Sequence, residues 1–221
     1  MIRLENVTKS YPTPKGQKYI LRDVSIEFPP KCNIAILGRN GMGKSTLLRL
    51  LGGIDFPNRG YIRSEERISW PMGLSGGVQG SMSGRDNARF VCRIYGDSEH
   101  EVERKIEYIY EFTELGDYFD MPVKTYSSGM KARLSFATSM AFDFDIYLMD
   151  EITAVGDQRF KEKSRAALQE KKDKANIIKV SHNMQELIRD CDVGIYLEKG
   201  QMHLYEDIKE AVAIYQREQA A

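Results

Sequence analysis

Gly38-Arg39-Asn40-Gly41-Met42-Gly43-Lys44-Ser45 has the G-x-x-x-x-G-K-S spacing of a phosphate-binding loop. Its flanks are those such a loop needs. Asn33-Ile34-Ala35-Ile36-Leu37 before it is a short apolar run, the pattern of a strand buried on both faces of a parallel sheet. Thr46-Leu47-Leu48-Arg49-Leu50-Leu51 after it predicts a helix that stops at Gly52-Gly53. Strand, glycine-rich turn and helix together aim free backbone N–H groups at an anion. In that arrangement Lys44 serves the β- and γ-phosphates of a nucleotide and the Ser45 hydroxyl serves Mg²⁺.

Upstream, Ile2 to Val7 and Val24 to Phe28 alternate in polarity and predict antiparallel strands, with Tyr19-Ile20-Leu21 a further extended piece. Pro12, Pro14 and Gly16 predict a loop between them. Downstream, Tyr61-Ile62-Arg63 predicts a strand after the turn Asn58-Arg59-Gly60. Residues 72–84 are rich in glycine and serine and read as a long functional loop. Helices are expected from Asn87 to Tyr95 and from Ser98 to Phe112, the latter with acids in its first turn. Residues 72 to about 142 therefore read as a mainly helical insertion. The core resumes at Ile146-Tyr147-Leu148-Met149 and continues at Asn176 to Val180. A hairpin follows, Val193 to Leu197 with Gln201 to Leu204, and a closing helix runs from Asp207 to about Arg217.

Three further groups carry chemistry. Asp150-Glu151 ends the apolar strand beginning at Ile146, where parallel sheets place ligands. Asp150 suits Mg²⁺, which takes oxygen ligands, and Glu151 suits the orienting of an attacking water. Adjacent acids at a strand end are an ordinary surface feature when alone; behind a phosphate loop they acquire a purpose. Val180-Ser181-His182 puts a histidine at a strand tip, within reach of a γ-phosphate. Tyr126-Ser127-Ser128-Gly129-Met130 opens a helix whose apolar residues recur at Met130, Leu134, Ala137 and Ala141, with Ser127 as N-cap. Alone, that start is an ordinary cap; a serine- and glycine-led helix start also offers a second anion site.

These four elements, in this order, resemble the nucleotide-binding subunit of ATP-binding cassette (ABC) transporters, and the likeness covers essentially the whole chain. It implies an α/β fold: a P-loop NTPase (RecA-like) core with an antiparallel β subdomain and a helical signature subdomain. Residues 1–221 would form one nucleotide-binding domain, with about 1–71 and 143–221 as core and β subdomain and about 72–142 as the helical subdomain. The implied nucleotide set is Gly38, Asn40, Gly41, Gly43, Lys44, Ser45 and Thr46. Glu151, His182 and Lys44 are the implied catalytic groups, and Ser45, Asp150 and the glutamine-loop residue Gln79 the metal ligands. The family's pentapeptide, usually Leu-Ser-Gly-Gly-Gln, is Tyr126 to Met130 here; Ser127 and Gly129 keep a hydroxyl and an N–H for the γ-phosphate held by a second copy. Tyr11 matches the aromatic that stacks on adenine, with Tyr19 a rival. Asp157 matches the loop that crosses the dimer interface. The glutamine loop should follow Ile68-Ser69-Trp70-Pro71-Met72, where the only nearby glutamine is Gln79.

Three strings, Ser69-Trp70-Pro71, Ser127 to Met130 and Asp150 to Asp157, are similar to ATP-binding subunits of capsular polysaccharide exporters. The resemblance implies ATP and Mg²⁺ as ligands, a second copy and a transmembrane permease as partners, and a place on the cytoplasmic face of the inner membrane. Composition agrees. The chain of 221 residues has 32 basic and 32 acidic side chains, which gives no footprint for nucleic acid or for an anionic bilayer. No run is long and apolar enough to insert into a membrane, and the start of the chain lacks a signal-type segment. Cys32, Cys92 and Cys191 are isolated and fit neither a disulfide framework nor a metal site. A soluble ABC-type ATPase uncoupled from transport, a nucleotide-holding regulatory module and a small-molecule kinase are the alternatives. The single cassette without sustained heptads argues against the first, the intact Lys44, Asp150, Glu151 and His182 against the second, and the segment at Ser127 against the third.

Overall fold

The structure is a computed structural model that describes residues 1–14, 16–72, 79–150 and 157–220. Glu151 and residues 73–78 of the expected long loop lie outside the described residues. Two units emerge, one holding both sheets and one mainly helical.

In the first unit, β1 (Ile2–Thr13), β2 (Gly16–Glu27) and β4 (Arg59–Ser64) form an antiparallel sheet in the order β2-β1-β4. The hairpin is longer than expected: strand pairing continues through Pro12 opposite Gln17, and Thr13 pairs Gly16. Proline is tolerated there because β4 pairs β1 only from Ile2 to Thr8. Beyond that point β1 has a free edge, so the missing N–H costs no ladder bond on that side. Inward residues Ile2, Leu4, Val7, Leu21 and Val24 join the main core.

The second sheet is built from β3 (Ile34–Leu37), β5 (Ile146–Asp150), β6 (Asn176–Val180), β7 (Val193–Glu198) and β8 (Gln201–Tyr205) in the order β5-β6-β3-β7-β8. The first four are parallel; β8 returns antiparallel on β7. Only a two-residue turn joins β7 to β8, with Lys199 at φ 47 and Gly200 at φ 84. Both angles are positive, as a type I′ hairpin turn requires. Every residue of β3 is buried, as its uninterrupted apolar sequence predicts. Ile68 makes an isolated parallel bridge to Ile146, so the segment before Trp70 runs beside β5. Helices α1 (Lys44–Leu51), α6 (Met184–Asp190) and α7 (Ile208–Ala220) belong to this unit.

The second unit comprises α2 (Gly84–Ile94), α3 (Glu99–Thr113), α4 (Ser128–Met140) and α5 (Gln158–Lys172). Ser98 and Glu101 close a capping box at the start of α3. Sequence boundaries assign everything after residue 143 to the core, yet α5 packs with the helical unit. Phe160 forms an aromatic triangle with Phe112 and Phe136, its centroid 5.7 Å and 6.4 Å from theirs. Arg133 stacks over Phe160 at 4.5 Å. Rings at such spacings add to the burial free energy, and that cluster fixes where α5 goes.

Candidate active site

The register of the parallel sheet brings the predicted groups of the first unit to one edge. Leu148 pairs Ile178, and Ile178 pairs Ile34, so β5, β6 and β3 run level. Asp150 pairs Val180, and the chain leaves β6 through Ser181-His182. Gly38 leaves β3 at the same edge. With β6 between β3 and β5 and strands about 4.8 Å apart, the phosphate loop, His182 and Asp150 come from three adjacent strand tips. This is where open α/β sheets bind ligands.

The loop itself fits an anion. Helix α1 starts at Lys44, two residues earlier than the hydrophobic pattern suggests, after Gly43 at φ 99. That backbone conformation, and the Ile20 Cγ2 that would lie 2.2 Å from any Cβ at position 43, leave room for glycine alone. Among the described residues, no side chain caps α1 and no acid lies in its first turn. By contrast α2, α4, α5 and α6 are capped by Ser83, Ser127, Asp157 and Asn183. The first N–H groups of α1 and its dipole are thus available to phosphate oxygens. Lys44 curls over the loop and donates from Nζ to the Gly38 carbonyl at 2.7 Å. Ser45 is exposed, Thr46 half-buried, and Asn40 and Gly41 face solvent.

The groups expected to hold a divalent cation are oxygen ligands of the right kind. Asp150 is half-buried at the end of β5, and the Ser45 hydroxyl lies in the first turn of α1. Among the described residues no cluster of three or more His, Cys, Asp or Glu could hold a metal. Mg²⁺ needs no such cage: it takes one or two carboxylates, waters and substrate phosphates.

Tyr11 and Tyr19 separate cleanly. Tyr11 pairs Lys18 and Ser10 pairs Tyr19, so the two rings face opposite sides of the hairpin. Tyr19 is 42% exposed and covered by Arg22, whose guanidinium sits 4.3 Å from its centroid. Tyr11 is braced instead. Its hydroxyl donates to Asp55 Oδ2 at 2.7 Å, and Lys9 Nζ donates to Asp55 Oδ1 at 2.6 Å. Burial alone would raise the Asp55 pKa, but the bonds from Lys9, Tyr11 and the Phe56 N–H win and bring it from 3.8 to about 2.

That shift has a sign. A carboxylate with a depressed folded pKa stabilises the fold above its unfolded pKa of 3.8, and the contribution disappears as pH falls through about 2. Asp55→Asn should therefore flatten the acid limb of the stability curve in that window. At neutral pH it should cost about 1.5–3 kcal/mol, because Lys9 loses its charged partner. Urea denaturation at stepped pH measures both; identical acid limbs in mutant and wild type would remove Asp55 from the account.

His182 is exposed at the β6–α6 turn. The turn is pinned by Lys179, whose Nζ donates to Glu186 at 2.6 Å and Asp190 at 2.8 Å, and by Ser181 Oγ, which donates to Glu186 at 3.0 Å. Burial opposes the ionised Glu186, but Lys179 more than offsets it and holds the carboxyl below its ordinary range.

The remaining predicted residues lie in the helical unit. Ser127 is exposed at the head of α4, its Oγ accepting from the Met130 N–H at 3.2 Å, with Gly129 half-buried in the first turn. Asp157 caps α5 through the Phe160 N–H and pairs with Arg133 at 2.7 Å. The Phe160 N–H is the main cause of its lowered pKa, with Arg133 assisting. Gln79 is exposed, and Asn87 holds it by both backbone groups, at 2.7 Å and 3.0 Å. Among the described residues no disulfide forms: Cys92 and Cys191 are buried and Cys32 half-buried. Burial raises the Cys92 pKa to about 11, which makes it an inert thiol at neutral pH.

Two features escaped the sequence patterns, the Lys9–Asp55–Tyr11 brace and Lys18 beside the phosphate loop. The second shows only in three dimensions, where Lys18 Nζ lies 3.8 Å from a Cβ placed on Gly41.

Comparison with known proteins agrees with this geometry. A family profile described as ABC transporter matches residues 21–154. The polysialic acid transport ATP-binding protein KpsT of Escherichia coli is 52% identical over 99% of this chain and 100% of its own length. The capsule polysaccharide export ATP-binding protein CtrD of Neisseria meningitidis serogroup B is 48% identical over 97% of this chain and 98% of its own. Among solved structures, a dimeric ATP-binding cassette in a post-hydrolysis state, bound to ADP and Pi, superposes with a TM-score of 0.73 at 22% identity, over 93% of this chain and 98% of that one.

Proposed function

The chain belongs to the ABC transporter family, and from that premise we propose that it is the ATP-binding, ATP-hydrolysing subunit of an exporter for a capsular or related surface polysaccharide. End-to-end identity with capsule-export ATP-binding proteins carries the substrate class. The alignment of the phosphate loop, Asp150 and His182 at one sheet edge supports the hydrolytic chemistry.

In this proposal Lys44 and the N–H groups of Gly41, Gly43 and Thr46 hold the phosphates, and Tyr11 stacks on adenine. Ser45 and Asp150 would hold Mg²⁺, which when bound neutralises phosphate charge. Gln79 is the proposed glutamine-loop residue toward the metal and water. Glu151 orients the attacking water and takes its proton, and His182 hydrogen-bonds the γ-phosphate as charge shifts onto it. Phosphoryl transfer to water needs position and charge stabilisation more than covalent help, which matches a site of a lysine, two carboxylates and a histidine. Two copies close around two ATP molecules, Ser127 and Gly129 of each completing the other's site, with Asp157 at the interface.

The partner that turns closure into transport is a transmembrane permease, which would hold the chain on the cytoplasmic face of the inner membrane. Among the described residues no helix is long and apolar enough to cross a membrane. The exposed Phe90, Ile94 and Tyr95 at the end of α2 suit contact with an apolar partner surface. Purified protein should release phosphate from ATP in the steady state, and Lys44→Ala should abolish it. A strain carrying Lys44→Ala should lose surface polysaccharide and retain the polymer inside. Phosphate release without any effect on surface polysaccharide would overturn the transport assignment; absence of release from wild type and its membrane complex would overturn the ATPase.

A further inference from the structure

Lys18 stands apart from the other described basic residues of the hairpin. Lys9 is paired with Asp55, and Arg22 covers Tyr19. Lys18 is exposed, and among the described residues its ammonium makes no hydrogen bond or ion pair. Yet it is not simply directed to bulk water. A Cβ placed on Gly41 would find Lys18 Nζ 3.8 Å away and no other described atom within 4 Å. The ammonium therefore overhangs the middle of the phosphate loop.

Its place on the strand gives it a role. Lys18 pairs directly with Tyr11, so both side chains rise from one face of the hairpin about 5 Å apart at Cβ. Lys44 lies at the other end of the loop, with its Nζ on the Gly38 carbonyl. A nucleotide running from a base at Tyr11 to terminal phosphates at Lys44 would pass its first phosphate under Lys18. The loop already concentrates positive potential from Lys44 and the uncapped start of α1. Bringing an unpaired ammonium to that place is unfavourable unless an anion joins them.

We propose that Lys18 is a second cation of the nucleotide site, pairing with the α-phosphate of the bound nucleotide; this rests on the ATP-binding function proposed above. Lys18 binds and positions, and takes no part in the chemistry at the γ-phosphate.

The test measures dissociation constants of full-length wild type, Lys18→Ala and Lys18→Arg for AMP, ADP and ATP, at two salt concentrations, with thermal melting as a folding control. Lys18→Ala should weaken all three nucleotides by a similar factor, about 5- to 20-fold, as expected for loss of one charge-assisted contact. Lys18→Arg should stay within about twofold of wild type, since it keeps the charge. The affinity of Lys18→Ala should fall less steeply with salt than that of wild type, having lost one screened charge. Unchanged affinity in Lys18→Ala overturns the proposal. A penalty absent with AMP and present with ADP overturns the α-phosphate assignment, and an equal loss in Lys18→Arg overturns the role of charge. Wild-type protein that binds no nucleotide would fail the underlying ATP-binding function, a result separable from any difference among variants.

Discussion

Glu151→Gln should bind ATP about as well as wild type and hydrolyse it about 10²–10⁴-fold more slowly, the range for loss of a positioned general base. Glutamine keeps the size of the side chain and an acceptor oxygen but cannot take a proton from water. The immediate neighbour differs in kind: Asp150 ends β5 half-buried and level with Val180. Asp150→Asn should impair Mg²⁺-dependent binding and turnover together, whereas Glu151→Gln should lower turnover alone. In the proposed mechanism ATP holds the two copies together until it is cleaved, so Glu151→Gln should also accumulate an ATP-bound dimer. Phosphate release and size-exclusion chromatography with light scattering read the two effects. Hydrolysis at the wild-type rate would remove Glu151 from the water-orienting role.

The second large effect concerns the shared site. Under the proposed composite site, Ser127→Arg should inactivate by placing a bulky cation where the γ-phosphate of the other copy would dock, and Lys44→Ala by removing the phosphate lysine. Mixed together, the two inactive proteins should recover activity. In a two-fold dimer of one of each, one site has both defects and the other has neither. Random pairing then gives about one quarter of wild-type turnover if a single site suffices. Ser127 also caps α4 through the Met130 N–H, so Ser127→Arg should cost about 1 kcal/mol of stability by itself. A melting curve separates that loss from the catalytic one. Two inactive proteins that exchange subunits, shown by differently tagged copies, and yet stay inactive would argue against composite sites.

Legibility followed the range of the interactions involved. The phosphate loop could be read because strand, turn and helix are contiguous, and their physics is local. The start of α1 was missed by two residues, since Lys44 and Ser45 are polar and the hydrophobic pattern begins only at Leu47. Helix α5 left almost no amphipathic trace, because Phe160 and Ser164 are its only buried residues. Its position is decided by Phe112 and Phe136, which lie far away in sequence. Pro12 misled for the opposite reason. It is a strong local signal, overruled where the neighbouring strand stops short. That Tyr11 and Tyr19 face opposite sides required the hairpin register, since a one-residue slip would have put both rings on one face. Tyr126, read as a departure from the usual signature leucine, proves buried, with its hydroxyl donating to the Tyr118 carbonyl at 2.6 Å. It serves the helical unit's own packing.

Helix α1 carries one more consequence. The protein closes the starts of its other capped helices with its own side chains, and leaves this one to be finished from outside. A phosphate is then the missing last piece of a secondary structure as well as a cargo of the site. A phosphate docked there would satisfy the open N–H groups of residues 44–47, which already form the first turn of α1, and so add to their stability. Occupancy of the proposed site should therefore raise the local stability of the segment that carries Lys44.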